Sequence, residues 1–182
     1  MHKIGGGQMT AFLFYFAAKT GKMDQQKLNF LSTGLVPLLK TLPADATMKW
    51  GKMNAQQMVE HISGFFRVST NKLHFPLATP PEQLPKFKEF LRSDKEFREN
   101  TKASVLPEEP LPVQFASFED AVNDLEKEIK DFLRQFTNDP RLTTQHPVFG
   151  DLNFEEWILL HYKHVVHHLK QFGLIAAASA GV

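Results

Sequence analysis

Eight histidines and no cysteine stand in this chain of 182 residues, and one group of the histidines has the spacing of metal ligands. The run is His161-Tyr-Lys-His164-Val-Val-His167-His168-Leu-Lys-Gln171, within a stretch of helical periodicity. At about 100° per residue, His164 and His168 fall within about 20° of the apolar line through Trp157 and Ile175, whereas His167 falls about 80° off it. An i, i+4 pair on one helix face lets two imidazoles reach one ion. A third imidazole comes from an earlier segment, where His61 shares a face with Gln57, Met58, Phe65 and Val68, while Glu60, Ser63 and Arg67 lie opposite. His61, His164 and His168 are therefore the candidate metal ligands, a three-nitrogen set that leaves positions for water or substrate. Taken singly, each also reads as a core histidine hydrogen-bonded to an ordinary neighbour, and a histidine cluster also occurs as a solvated face. The site requires the two helices to be adjacent. His74, His146, His161 and His167 read as supporting or surface groups, and Gln57 and Gln171, one turn from ligands, as groups that orient them or a water.

Composition narrows the chemistry. Without cysteine there are no disulfides, thiolate nucleophiles, zinc ribbons or iron–sulfur clusters, so any metal is held by His, Asp or Glu. Lys and Arg number 21 against 20 Asp and Glu, a net charge of +1, which offers no basic excess for nucleic acid. The 42% hydrophobic content with 17 Phe supplies a core. No apolar run reaches membrane-spanning length, so a soluble, cytoplasmic protein with no membrane partner is expected. Met9 to Ala18, after a Gly5-Gly6-Gly7 run, has the loose layout of a secretory signal, but no clear cleavage site follows it. Residues 1–23 read as a leader or extra N-terminal segment, with a signal peptide as the alternative. Metalloprotease, phosphate-loop and dinucleotide-binding motifs are missing, and Ala177-Ala-Ser-Ala-Gly181 matches the nucleophile-elbow pattern only by chance.

The elements that must position the histidines are four amphipathic helices. Asp24 to Leu42 places Leu28, Leu31, Leu35, Leu38, Leu39 and Leu42 on one stripe, with a bend expected at Gly34 and Pro37. Asn54 to Thr70 is the second helix. Ser117-Phe-Glu-Asp120 opens the third, and Asn153-Phe-Glu-Glu156 opens the fourth, which runs towards Ile175 without a required stop at Gly173. Asn71 to Ala116 is too long for an ordinary turn and carries a Phe-bearing piece, Phe87, Phe90 and Phe97, between two groups of prolines. A short helix is expected there, with Phe87 or Phe90 packed on the core. Residues 43–53 and 137–152 read as links. The fold class is all-α: a four-helix bundle with a long crossover between helices 2 and 3, spanning residues 24–175, followed by a tail at 176–182.

Two stretches, Trp50-Gly-Lys-Met-Asn-Ala-Gln-Gln-Met-Val-Glu-His61 and His146-Pro-Val-Phe-Gly-Asp-Leu-Asn-Phe-Glu-Glu-Trp157 continuing to His164-Val-Val-His-His168-Leu-Lys-Gln171, resemble the DinB/YfiT-like superfamily of bacterial four-helix bundles. The likeness covers about Asp24 to Ile175, within a subgroup of unknown function. It implies a divalent ion, commonly zinc or nickel, held by His61 and by the His164/His168 pair. It also implies a small-thiol S-transferase or isomerase, with a cosubstrate such as bacillithiol, mycothiol or glutathione, and a homodimer.

Three classes of function follow as expectations. The first is a metal-dependent thiol transferase, with a metal-dependent hydrolase as its nearest rival. Neither has an inward general acid or base in this sequence, because Glu60 and Glu156 project away from the stripe. The second is a non-catalytic stress protein that binds a metal or an apolar ligand. The third is an interaction protein without metal.

Overall fold

The computed structural model describes residues 25–101, 105 and 107–176. The expected leader at 1–23 and all but the first residue of the expected tail lie outside these. The described chain is mostly helical with one small two-stranded sheet. None of its helices is long and apolar enough to cross a membrane.

Helix α1 runs in three pieces: Gln25–Asn29, a π-helical stretch Phe30–Gly34, and Leu35–Leu39. The Leu35 N–H donates to the Phe30 carbonyl, five residues back. The ladder thus changes step just before Pro37, which has no N–H to give and would crowd a carbonyl of the preceding turn. The helix absorbs Gly34 and Pro37 in this way and continues past both.

Helix α2, Ala55–Ser69, starts from a reciprocal cap in which Asn54 and Gln57 each accept the other's backbone N–H, at 2.8 and 2.9 Å. A 3-10 turn at Pro81–Gln83 leads into α3, Leu84–Arg92. Helix α4, Phe118–Asn138, is capped by the Ser117 hydroxyl, which accepts from the Asp120 N–H at 3.1 Å. Helix α5, Phe154–Gln171, repeats the reciprocal cap with Asn153 and Glu156.

Helix α5 stops short of the expected end near Ile175. Gly173, at φ +71°, takes the left-handed position, and the N–H groups of Gly173 and Leu174 return to the carbonyls of Lys170 and Leu169 at 3.0 and 2.9 Å. This paired closure satisfies the last carbonyls and uses the conformation that glycine adopts without a Cβ clash.

The second difference from expectation is a hairpin within residues 137–152, read from sequence as a link. Strands β1, Thr144–His146, and β2, Gly150–Leu152, pair antiparallel with Thr144 opposite Leu152. Three-residue strands are too short to show a period-2 pattern. The hairpin is fastened to both helices of the site: the Trp157 indole N–H donates to the Thr144 hydroxyl, which donates to the Ser69 carbonyl, each at 2.8 Å.

Leu28, Leu31, Leu35 and Leu39 of α1, Met58, Val59, Ile62 and Phe66 of α2, Leu125, Ile129, Phe132 and Phe136 of α4, and Trp157, Leu160, Val165 and Leu169 of α5 form the core. Helix α2 lies along α4 and against α5, while α1 contacts both α4 and α5. The helices bearing His61 and the His164/His168 pair are therefore neighbours. Helix α3 packs on α5, with Phe87 and Phe90 against Phe149 at ring separations of 5.9 and 6.4 Å, as expected of one of the two. Leu91 is the fully buried residue of that helix.

Candidate metal centre

The buried line of α2 runs through Met58, Ile62 and Phe66, so His61 and Phe65 stand at its edge rather than at its centre. On α5 the line runs through Trp157, His161, Val165 and Leu169, with His168 buried and His164 half-buried at the margin. The three candidate ligands thus meet in the seam between the two helices.

Their ligating nitrogens lie within 4.8 Å of one another. His164 Nε2 is 2.9 Å from His61 Nε2 and 3.0 Å from His168 Nε2. An imidazole nitrogen carries either one proton or one in-plane lone pair. His164 Nε2 can therefore satisfy one of these neighbours by a hydrogen bond, and not both. A cation at the shared point takes one lone pair from each ring. Two nitrogens roughly 2.0–2.1 Å from one ion stand about 2.9 Å apart at a right angle, about 3.3 Å apart at the tetrahedral angle and at most about 4.2 Å apart. The two spacings at His164 therefore fit adjacent ligands of one ion, while the 4.8 Å span of the whole set has to close by roughly half an ångström for all three rings to reach it.

Electrostatics favour the ligating form. Burial, with His167 adding to it, pushes His61 down to about 4. Burial, helped by the neighbouring imidazoles, holds His164 and His168 well below the usual histidine range. All three are neutral near pH 7, the state in which a histidine binds metal. His168 Nδ1 lies 2.9 Å from Gln171 Oε1, and Gln171 Nε2 donates to the Trp50 carbonyl at 2.7 Å. Phe65 covers one flank of His164, with ring centroids 4.2 Å apart.

Several supporting residues differ from expectation. Gln171 does touch a ligand ring. Gln57 does not: its amide oxygen is used in the α2 cap and its NH2 group donates to the Leu111 carbonyl at 2.9 Å, which fastens the long connection. His161, read as a supporting or surface group, is fully buried, because Phe66 stacks on it at 3.8 Å and Ser69 Oγ meets its Nε2 at 3.0 Å. His146 is also buried, with Nδ1 accepting the Val148 and Phe149 N–H groups at 3.0 and 3.3 Å to close the hairpin turn. His74 is exposed and His167 half-buried, beside Trp50 and Phe97.

The carboxylates are committed elsewhere. Glu60 accepts the N–H groups of Gln114 and Phe115 at 2.8 and 3.1 Å. Glu156 pairs with Lys88 and Arg92 at 3.2 and 3.0 Å. Both hold the long connection, and Glu156, read from the sequence as projecting away from the stripe, is buried in doing so. Trp50 and Gly51, which touch Gln171, escaped the sequence reading as site residues. The only signal for them was a Trp-Gly pair just ahead of the α2 cap.

The fold and site together define a class: a mostly helical protein whose candidate metal centre, among the described residues, is made of histidine alone. Residues 23–173 match the family described as a protein of unknown function, DUF1569, and the chain belongs to that family. No curated protein and no solved structure matches it.

Proposed function

We propose that this chain is a divalent-metal-dependent enzyme that joins a low-molecular-weight thiol to an electrophilic carbon, with His61, His164 and His168 holding the ion. The observation that carries the reading is His164 Nε2, which faces two other imidazole nitrogens at 2.9 and 3.0 Å when it can hydrogen-bond to one. A zinc- or nickel-like ion bound there supplies Lewis acidity, which lowers the pKa of a thiol or water and so makes a nucleophile near neutral pH without a protein cysteine. The protein's own part is to keep three imidazoles neutral, to leave coordination positions open at the seam, and to exclude water on the Phe65 side. No carboxylate serves as base in this reading, since Glu60 and Glu156 are occupied.

In the same reading, α1, α2, α4 and α5 are the members of a DinB/YfiT-like four-helix bundle, and the segment from Asn71 to Ala116 is the crossover between its second and third members. The resemblance of the Trp50–His61 and His146–Gln171 stretches supports this, as does the burial of one apolar face on each helix. A small-thiol cosubstrate also favours the cytoplasm, where thiols are kept reduced.

Elemental analysis of untreated protein tests the ion, and a stoichiometric divalent metal is expected. Incubation with a thiol and an alkylating electrophile then tests the reaction. Product that requires both the ion and the thiol supports S-transfer. Product formed without the thiol indicates a hydrolase, an ion without turnover indicates a binding protein, and material without a stoichiometric ion overturns the metal centre.

A further inference from the structure

The hydrogen bonds behind His168 have only one consistent polarity. A backbone carbonyl can accept but never donate. The Gln171 side-chain group that meets the Trp50 carbonyl at 2.7 Å is therefore its NH2, which turns the amide oxygen towards His168 Nδ1 at 2.9 Å. An amide oxygen only accepts, so Nδ1 of neutral His168 carries the ring proton. Nε2 is left with its lone pair, facing His164 Nε2 at 3.0 Å.

Residues 49–51 enforce this arrangement from outside the helix. The Lys49 N–H donates to the Gln171 carbonyl at 2.7 Å. Gly51 has φ +86°, and a Cβ added there would stand 2.5 Å from Gln171 Nε2. A side chain at this position would have to displace the end of the Gln171 side chain. We infer that the Trp50–Gly51 turn, acting through Gln171, sets the tautomer of His168 and presents its Nε2 unprotonated to the seam between α2 and α5. Gln171, Trp50 and Gly51 are positioning residues, and the ring nitrogen they position is on the opposite side from the one they touch. The effect on metal affinity rests on the metal-centre reading; the tautomer does not.

The test reads the tautomer directly, in metal-free protein labelled with 15N-histidine at about pH 8, from two-bond 1H–15N correlations assigned by the loss of signal in His168→Gln. The parent is expected to show His168 protonated at Nδ1. Gln171→Met removes the acceptor, and Gly51→Ala displaces the amide, so both are expected to lose that tautomer and to bind zinc about 10–100-fold more weakly in competition with a chromogenic chelator. Gly173→Ala is the control for strain. It too places a Cβ at positive φ, +71°, but against the Lys49 side chain at 2.9 Å, and it is expected to keep the parent tautomer.

Protonation at Nε2 in the parent overturns the inference, as does an unchanged tautomer in Gln171→Met. A shift in Gln171→Met without one in Gly51→Ala removes the turn from it, and an equal shift in Gly173→Ala reduces it to general loosening. If the tautomers behave as expected but no form binds zinc, the inference stands and the metal-centre reading fails.

Discussion

His161 and His168 occupy the same helix, are both buried, and are used in opposite ways. His161 lies in the core, stacked on Phe66 with an interplanar angle of 7°. The Ser69 hydroxyl donates to the Phe66 carbonyl at 2.7 Å, so its oxygen accepts from His161 Nε2, and that nitrogen is spent on a core hydrogen bond. His161 Nδ1 is buried without a partner. His168 spends Nδ1 on Gln171 and keeps Nε2 for the seam. The lesson is that burial does not separate a candidate ligand from a core histidine. What separates them is which ring nitrogen the surroundings use: Ser69 takes Nε2 of His161, and Gln171 takes Nδ1 of His168.

The largest effects that sharpen this contrast are on metal affinity. His164→Ala and His168→Ala are expected to weaken zinc binding by about a thousandfold or more, on the order of a third of the free energy of a structural zinc site. His161→Phe is expected to leave affinity within a few-fold of the parent. His161→Ala should cost about 3 kcal/mol of stability in urea, as for other large aromatic truncations, with zinc affinity of the folded protein retained. His167→Ala, whose ring lies 5.1 Å from that of His168, tests the helix register and should cost no more than about tenfold. Chelator competition ranks all five proteins on one scale. Equal losses in His161→Phe and His168→Ala would erase the distinction.

The sequence made the helices legible because each has a strong local signal: the leucine stripe of α1, and the Asn54, Ser117 and Asn153 caps of the other three long helices. The three candidate ligands were selected by helical angle and the structure brings them together. The sequence reading misjudges His161 against that same calculation: at about 100° per residue it lies only about 40° from Trp157, on the face that the structure buries, yet it is counted there as a supporting or surface group. The hairpin is local but its three-residue strands are too short to leave a periodic trace, and the Trp50–Gly51 turn depends on its contact with Gln171, far along the chain.

His146 offers a second structural histidine, and breaks the comparison along a different axis, acidity. Burial pushes it down to about 3, against an ordinary value near 6.5 in the unfolded chain. Above about pH 6.5 neither state is protonated there and the group contributes no pH dependence. Below that, the unfolded chain takes up a proton that the folded protein refuses, so stability falls as pH falls, by about 1.4 kcal/mol per pH unit, until the folded group titrates. In metal-free protein, urea unfolding at pH 7, 6 and 5 should show this slope added to those of the other histidines that burial lowers, His61, His161, His164 and His168. In His146→Asn, whose amide oxygen can still accept the turn N–H groups, the slope should be shallower by one proton. An unchanged slope would show that His146 is protonated in the folded state despite its burial.

The smallest expected effect separates the long connection from the site. Glu156 is largely buried, with a side chain 9% exposed, but its partners Lys88 and Arg92 are 28% and 63% exposed, so solvent screens most of the attraction. Its other role, accepting the Asn153 N–H at 3.2 Å in the α5 cap, is one that glutamine also performs. Glu156→Gln therefore removes charge and little else, and should cost about 0.5–1 kcal/mol at low salt, with the difference from the parent narrowing as ionic strength rises. Zinc affinity should not change, because the carboxylate secures α3 against the start of α5 while the imidazoles converge further along that helix. Parallel urea titrations and chelator competitions on the one variant read both quantities. A loss of zinc affinity with unchanged stability would reverse the assignment and make Glu156 part of the centre, in place of a fastening for the segment that crosses beside it.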